Sequence, residues 1–549
     1  MLLFRRIVLA FVLLAMSLAV SGQALKDHRM EVARNMDLFC SLYRSLDLMY
    51  VDTLDAEELI TSGITAMLRR LDPYTEYYPE SRQGDLRMML TGKYAGIGAI
   101  VRFHQRRKYT VIDEPYEGMP AAEAGLRKGD VILEIDDSIM AGKPVAYVSE
   151  RLRGDAGSTF RLKAWRPSTG DTLDLRIKRK SIKLPVIPYY GIIGDGIGYI
   201  GFSQFTEGSA KMMRRSLIDL KKLGAEKIIL DLRSNGGGQL REAIDILSLW
   251  LPKGEKMVET KGKLRQANME YTTRLEPVDT LMPLVVLVDG ETASASEITA
   301  GGLQDLDRAV VMGQRTYGKG LVQVPVDLPY NSSLKVTTSR YYIPSGRCIQ
   351  ALDYSHGVKH AADSLKGTFY TRGGRKVEGG GGIKPDVELR PDTLQEITLF
   401  LDRADSTEVM FDFETEYIAT HDTIGAAREF RLSDEDFKEL KRRVVENGIT
   451  YNYLSGKLLD ELEKAARSEG YYEDAAEEMG KLRKKLRHDM ERDMDKAEEE
   501  IKTIVEQDIV AAYYFQEGTV ENGLGRDPAI KAAIELLGDE ERYKSLLGK

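Results

Sequence analysis

Apolar residues recur at helical spacing through residues 28–90, as in Leu38, Leu42, Leu46 and Leu48, then Leu59, Ile60, Ile64 and Leu68. That spacing predicts helices. From Gly92 the pattern shortens to β-rich runs divided by glycine-containing turns, with Gly96 to Val101 at its start and Ala124 to Ile132 in its middle. Val145–Leu152 reads as a short amphipathic helix, and Phe160–Trp165 and Leu173–Ile177 as strands. Between about residues 183 and 393 strands alternate with helices. Ile193–Phe202, Lys227–Leu232, Leu284–Val288 and Ala309–Met312 are the strands; Ala210–Leu223, Leu240–Trp250 and Glu297–Leu306 are the helices. Such alternation implies a layered α/β core. Gly373 to Gly382 and Lys384-Pro385-Asp386 read as a loop closing it. Beyond about residue 395 the chain is helical and strongly charged, as in Lys481 to Lys502. There Leu482, Leu486, Met490 and Met494 recur every four residues, one apolar stripe on a charged helix. Lysines and glutamates cover the rest, so the stripe predicts a packing or partner face, for a second copy or an adaptor.

The reading is therefore a multidomain α/β chain: a leader at 1–24, an N-terminal helical region at 25–90, a β-rich domain at 91–180, an α/β core at 181–394 and a helical C-terminal region at 395–549. In the leader, Arg5 and Arg6 precede an apolar run from Ile7 to Val20, and Ser21-Gly22-Gln23-Ala24 offers a cleavage point after Ala24. That is the layout of a secretory signal peptide. The run is shorter than the roughly 20 residues a spanning helix needs, and an uncleaved anchor is the alternative. Either way the remainder is expected to be exported, most simply to a periplasm.

Composition narrows the classes. The 549 residues are 42% hydrophobic and 30% charged with a net charge of −8, which is globular and gives no reason to expect a nucleic-acid partner. Two cysteines far apart, Cys40 and Cys348, support neither a disulfide framework nor a metal site. HExxH and CxxC patterns are absent from the sequence, so neither metal nor cofactor is expected.

The candidate chemistry lies around residue 300. Thr292-Ala293-Ser294-Ala295-Ser296-Glu297 follows an apolar strand and opens a helix, so Ser294 sits at a helix N-terminus, where unpaired N–H groups suit a developing oxyanion. Serine followed three residues later by glutamate is equally a capping box, and a cap is the commoner use of that pattern. Small residues around the serine, a glycine-rich turn upstream and a lone lysine between glycines downstream shift the balance to a nucleophile. Spacing favours Ser294 over Ser296 without deciding it.

Gly313 to Gly320 nearly matches a phosphate-binding loop around Lys319, but Gly320 replaces the magnesium-binding hydroxyl and a strand pattern follows where a helix is required. Lys319 as a base must lose its proton. Its ordinary pKa of about 10.4 can fall by roughly 3–5 units in an apolar pocket, and three units correspond to about 4 kcal/mol. Gln323 could orient the amine without adding charge. The turn Asp231-Leu232-Arg233-Ser234-Asn235-Gly236-Gly237-Gly238 ends another apolar strand, and Gly237 and Ala295 are the natural amide donors to an oxyanion.

The order of runs and turns over 91–180 resembles a PDZ domain of the type found in exported proteases, which implies that Gly96, Ile97 and Gly98 form the loop holding a peptide's terminal carboxylate. Asp-Leu-Arg-Ser-Asn-Gly-Gly-Gly, Ser-Ala-Ser-Glu-Ile, Gln304-Asp305 with Arg308-Ala309, Tyr-Gly-Lys-Gly-Leu-Val-Gln, Tyr342 to Gly346 and Lys384-Pro385-Asp386 together resemble the carboxy-terminal processing, or tail-specific, proteases. The resemblance covers about residues 30–393. It implies a serine endopeptidase that binds protein C-terminal tails, with Ser294 as nucleophile, Lys319 as base and Gln323 in support. Glu291-Thr292 departs from the glycine and serine frequent in the family. The last 150 or so residues match none of its motifs, and could cap the site, dimerise or bind an adaptor. The competing classes are an inactive PDZ-containing peptide-binding scaffold and, less well supported, a peptidoglycan or lipid hydrolase.

Overall fold

The computed structural model describes residues 28–354, 359–391, 393–403, 408–449 and 454–549. The expected leader at 1–24 lies outside the described residues. The described residues form two compact units, divided between Tyr77 and Tyr78. In the first, residues 28–49 form one helix and Ala56–Leu68 another. Asp55 caps the second by accepting the Glu58 N–H at 2.8 Å. The apolar residues behind the first helix are not core: Leu38, Leu42 and Leu48 are 65%, 54% and 80% exposed.

In the second unit, residues 99–178 form an antiparallel sheet in the spatial order Ala99–His104, Tyr109–Pro115, Val131–Ile135, Thr159–Arg166, Asp171–Lys178. The helices Pro120–Glu123 and Val145–Leu152 share its core with Ile112, Ile132 and Leu162. Lys93–Gly96 pairs with Lys180–Lys183 and so joins the entry and exit of this domain.

The central sheet runs Tyr189–Gly194, Ile197–Gly201, Lys227–Asp231, Leu284–Val288, Val310–Gly313, Val387–Glu388, parallel from the second strand onward. Because side chains alternate along a strand, Ile228, Leu230, Val286 and Val288 face one layer of helices while Ile229, Val285 and Leu287 face the other side. The first layer is built from Ser209–Lys222, Leu240–Leu247 and Ala295–Asp305. The other face is covered by the end of the chain, with Leu524, Ile530, Leu536, Leu537 and Tyr543 against it. Tyr543 also bonds the central strand directly, its hydroxyl accepting the Leu284 N–H at 2.9 Å and donating to the Leu284 carbonyl at 3.1 Å. A second sheet contains Leu321–Leu328, Ser332–Tyr342, Lys256–Gly262 and Glu270–Thr272.

Two expectations need correction. The strand expected at 193–202 is a hairpin of Tyr189–Gly194 and Ile197–Gly201, because Asp195-Gly196 makes a two-residue turn with Gly196 at φ +66°. The charged helix expected over 481–502 is three: Tyr472–Leu486 ends, Met490–Lys496 starts where the Asp489 carboxylate accepts the Arg492 N–H at 3.0 Å, and Glu498–Leu524, kinked at Phe515 (φ +54°), follows. The expected stripe is broken accordingly. Leu482 is exposed, whereas Met494 is buried among Ile397, Leu440 and Ile501 of the C-terminal helical domain.

Candidate active site

Two adjacent parallel strands deliver the two turns of interest. Asp231 pairs with Leu287, so the turn after Asp231 and the turn after Val288 leave the sheet side by side at the carboxyl ends of the strands, where open α/β sheets place their ligands. Asp289 stitches the turns together. One carboxylate oxygen accepts the Thr292 N–H and the other the Ser234 N–H, each at 2.9 Å. The Asn235 carbonyl accepts the Ala293 N–H at 3.0 Å and the Ser296 hydroxyl at 2.8 Å. Thr292, the departure from the family pattern, is buried, and its hydroxyl donates to the Leu232 carbonyl at 2.9 Å. Threonine therefore serves the turn with its own hydrogen bond.

Ser294 has φ +57° and ψ −114°, a conformation that L-residues hold only when their surroundings enforce it. It is the geometry of a serine presented on a sharp strand-to-helix turn. Ser296 is buried with its hydroxyl committed to Asn235, whereas Ser294 lines a cavity of about 810 Å³. Lys319, Gln323, Gly237, Ala295 and Tyr341 line the same cavity, and Leu86, Met89 and Leu90 contribute apolar wall.

Glu297 holds this arrangement. Its side chain is wholly buried, with one oxygen accepting from the Thr316 hydroxyl (2.5 Å) and the Gly318 N–H (2.7 Å). The other accepts the Ser294 N–H (2.8 Å) and the Lys319 N–H (2.9 Å). Burial pushes the carboxyl up from its ordinary value, opposed by these four donors. One side chain thus fixes the backbone of both Ser294 and Lys319. Tyr341 adds a second tie, its hydroxyl reaching the Lys319 carbonyl at 2.7 Å and the Ser294 carbonyl at 3.2 Å. The capping-box spacing reveals only the Ser294 half of the Glu297 role. Nothing in the sequence singles out Tyr341 or Asp289.

The glycines flanking Lys319 serve close packing. A Cβ on Gly318 would lie 2.5 Å from the Ala351 Cβ, and one on Gly320 2.8 Å from the Gln350 N. The strand Leu321–Leu328 follows at once. A register shift between Val322 and Gln323 sets Gln323 opposite Thr337, whose hydroxyl accepts from its amide at 3.1 Å. Gly237, at φ +96°, lies against Ser294: a Cβ there would be 2.9 Å from the Ser294 Cβ and 2.8 Å from the Ala295 N. Its N–H already donates to Asn235 Oδ1 at 2.9 Å, so an oxyanion would share that hydrogen. The Ala295 N–H, in the first turn of its helix, has no intrahelical acceptor by position.

In the β-rich domain, Gly96, Ile97 and Gly98 precede the edge strand Ala99–His104. The Ile97 and Gly98 carbonyls accept N–H groups of Ala121 (2.8 Å) and Tyr116 (2.9 Å), and Gly98, at φ +69°, leaves no room for a Cβ beside Met119. The three residues lie in this separate domain, away from the Ser294 cavity lining.

Comparison with known proteins gives this architecture a place. Residues 196–363 match the model of peptidase family S41, 111–166 a PDZ domain, and 400–537 the C-terminal helical domain described for a probable PDZ-protease. A carboxy-terminal-processing protease of Bartonella bacilliformis is 32% identical over 378 residues, covering 67% of this chain and 86% of that protein. The chain belongs to the carboxy-terminal processing proteases. Carboxy-terminal processing protease CtpB of Bacillus subtilis is 31% identical over 60% of this chain and 68% of its own length. A solved photosystem II D1 C-terminal processing protease is 27% identical and covers 65% of this chain and 94% of its own, with a TM-score of 0.36. This carboxy-terminal processing protease is thus a serine-type peptidase carrying a PDZ domain and a C-terminal helical domain.

Proposed function

We propose that this enzyme captures the C-terminal tail of a protein on its PDZ domain and cleaves the chain by acyl transfer. The observation that carries the proposal is the single carboxylate of Glu297, which fixes the backbone of Ser294 and of Lys319 at one cavity. Ser294 attacks the scissile carbonyl as neutral Lys319 takes its proton, and Gln323 orients the amine. The developing oxyanion is met by the N–H of Ala295 and a shared N–H of Gly237. The protonated lysine then supplies the leaving amine with its proton, and water resolves the acyl-enzyme. Gly96, Ile97 and Gly98 receive the tail's carboxylate while the tail extends along the edge strand Ala99–His104.

Ser294→Ala and Lys319→Ala are each expected to abolish cleavage of a tailed substrate with unchanged far-UV circular dichroism. Activity retained in either variant would sink the mechanism. We further propose export to the periplasm by the leader at 1–24. Among the described residues no helix is long and apolar enough to cross a membrane. The N-terminal sequence of the protein recovered from cells is expected to begin at Leu25, and one beginning at Met1 would establish an uncleaved segment.

A further inference from the structure

The PDZ sheet has two faces, and its own helices cover one. On the other, Val111 and Val131 are nonetheless 0% and 1% exposed, because Phe411 of the helix Val409–Thr420 packs on them. The Phe411 ring lies 4.7 Å from the Arg102 guanidinium and 5.4 Å from the Lys128 ammonium. An aromatic anchor in a desolvated pocket, ringed by polar contacts, is how the strongest contacts at protein interfaces are built.

The ring is dense. Lys128 Nζ lies 3.0 Å from Glu414, 3.5 Å from Asp113 and 3.8 Å from Asp508 of the long helix Glu498–Leu524. Glu408 accepts from Arg102 at 3.1 Å and from the Gln105 N–H at 2.9 Å. Asp412 meets His104 at 3.1 Å and Arg107 at 2.9 Å. Gly129 allows the approach, since a Cβ there would lie 2.2 Å from the Thr415 Cγ2. These contacts use the sheet face opposite the Val145–Leu152 helix, the side against which an added strand would lie.

The same helical domain is rooted in the protease core. The long helix leads to Asp527, which meets Arg233 at 2.6 Å in the turn carrying Gly237, and the helices Pro528–Gly538 and Glu540–Leu546 cover the catalytic sheet. The PDZ domain is therefore attached to the core twice, by its Lys93–Gly96 and Lys180–Lys183 strand pair and by this second route.

We propose that the C-terminal helical domain is the docking partner that holds the PDZ domain in one pose relative to the catalytic cavity, with Phe411 as the anchor and the Lys128–Glu414 pair as its buried charge. A captured tail is then presented at a set distance from Ser294 instead of on a swinging tether. The presentation half rests on the tail-capture reading above; the docking half does not.

The test compares the full-length enzyme with Phe411→Ala and Lys128→Met, one change on each side of the contact. Amide exchange over residues 109–115 should be at least about ten-fold faster in both variants. Cleavage of a tailed substrate should fall about ten-fold, while a short untailed peptide is cleaved within about two-fold of wild type. Unchanged exchange in both variants overturns the docking role. Faster exchange with an unchanged tailed-to-untailed ratio overturns presentation. A wild-type enzyme indifferent to the tail would sink the tail-capture reading instead, and the exchange measurement alone would then decide the docking. Unfolding of Phe411→Ala would show as lost untailed cleavage, and Lys128→Met, similar in length and apolar, keeps the test decisive.

Discussion

Glu297 and Glu414 are both buried carboxylates, at 0% and 1% exposure, and the molecule treats them in opposite ways. At Glu297, four neutral donors from two stretches of chain converge on two oxygens. At Glu414 the partner is a cation from another domain, Lys128, and burial leaves the carboxyl well above its ordinary value even so. Fixed donors position a backbone, since each hydrogen bond specifies where one amide must be. An ion pair specifies little beyond proximity, and breaking it leaves a charge stranded, which resists separation of two surfaces. The first device suits the proposed pair Ser294 and Lys319, whose backbones must be held in register; the second suits domains that must stay together.

That contrast can be broken at its strong end. Glu297→Gln turns one acceptor into a donor facing two N–H or O–H groups. Hydrogen bonds to charged groups contribute about 1.5–3 kcal/mol, so kcat/KM on a short untailed peptide should drop about 100-fold. Glu414→Gln should leave that same rate within about two-fold, because it disturbs docking and not the Ser294 turn. Equal losses in the two variants would erase the distinction.

The smallest effect is one of pH. Burial, reinforced by Asp113, pushes Glu114 in the docking region up to about 7, and its Oε1 has no hydrogen-bond partner among the described residues. The folded chain holds this proton more tightly than the unfolded chain, so stability is full below the ordinary value and falls as pH rises toward 7. Discounted for partial exposure, the loss is about 1–2 kcal/mol. Between about pH 5 and about pH 8 the wild type should therefore lose a few degrees more in Tm than Glu114→Gln, measured calorimetrically. Parallel curves for the two proteins would show that Glu114 titrates normally.

Much of the candidate site's placement was legible because its signals are local. Leu284–Val288 is a pure apolar strand, and Ser294 follows it within a turn, so element and candidate residue come from one stretch. The role of Glu297 was half-legible: Ser294 is three residues away, but Thr316, Gly318 and Lys319 are 19 to 22 residues on, beyond any helix spacing. The hairpin at 189–201 stayed hidden because Ile192, Ile193 and Ile197 read as one apolar run across Asp195-Gly196. The docking helix left a trace that alternation alone does not resolve. Val111 and Ile112 point to opposite faces and are both fully buried, which says that each face is covered but not by what.

The Tyr543 contact with Leu284 has a consequence for biosynthesis. The strand that leads to Ser294 joins, on one face, a surface against which Leu524, Ile530, Leu536, Leu537, Tyr543 and Leu547 pack. Until those residues are made and packed, the chain presents Ile229, Val285 and Leu287 without that cover. Ordered burial of this sheet therefore waits for residues 524–547, made long after Ser294 and Lys319.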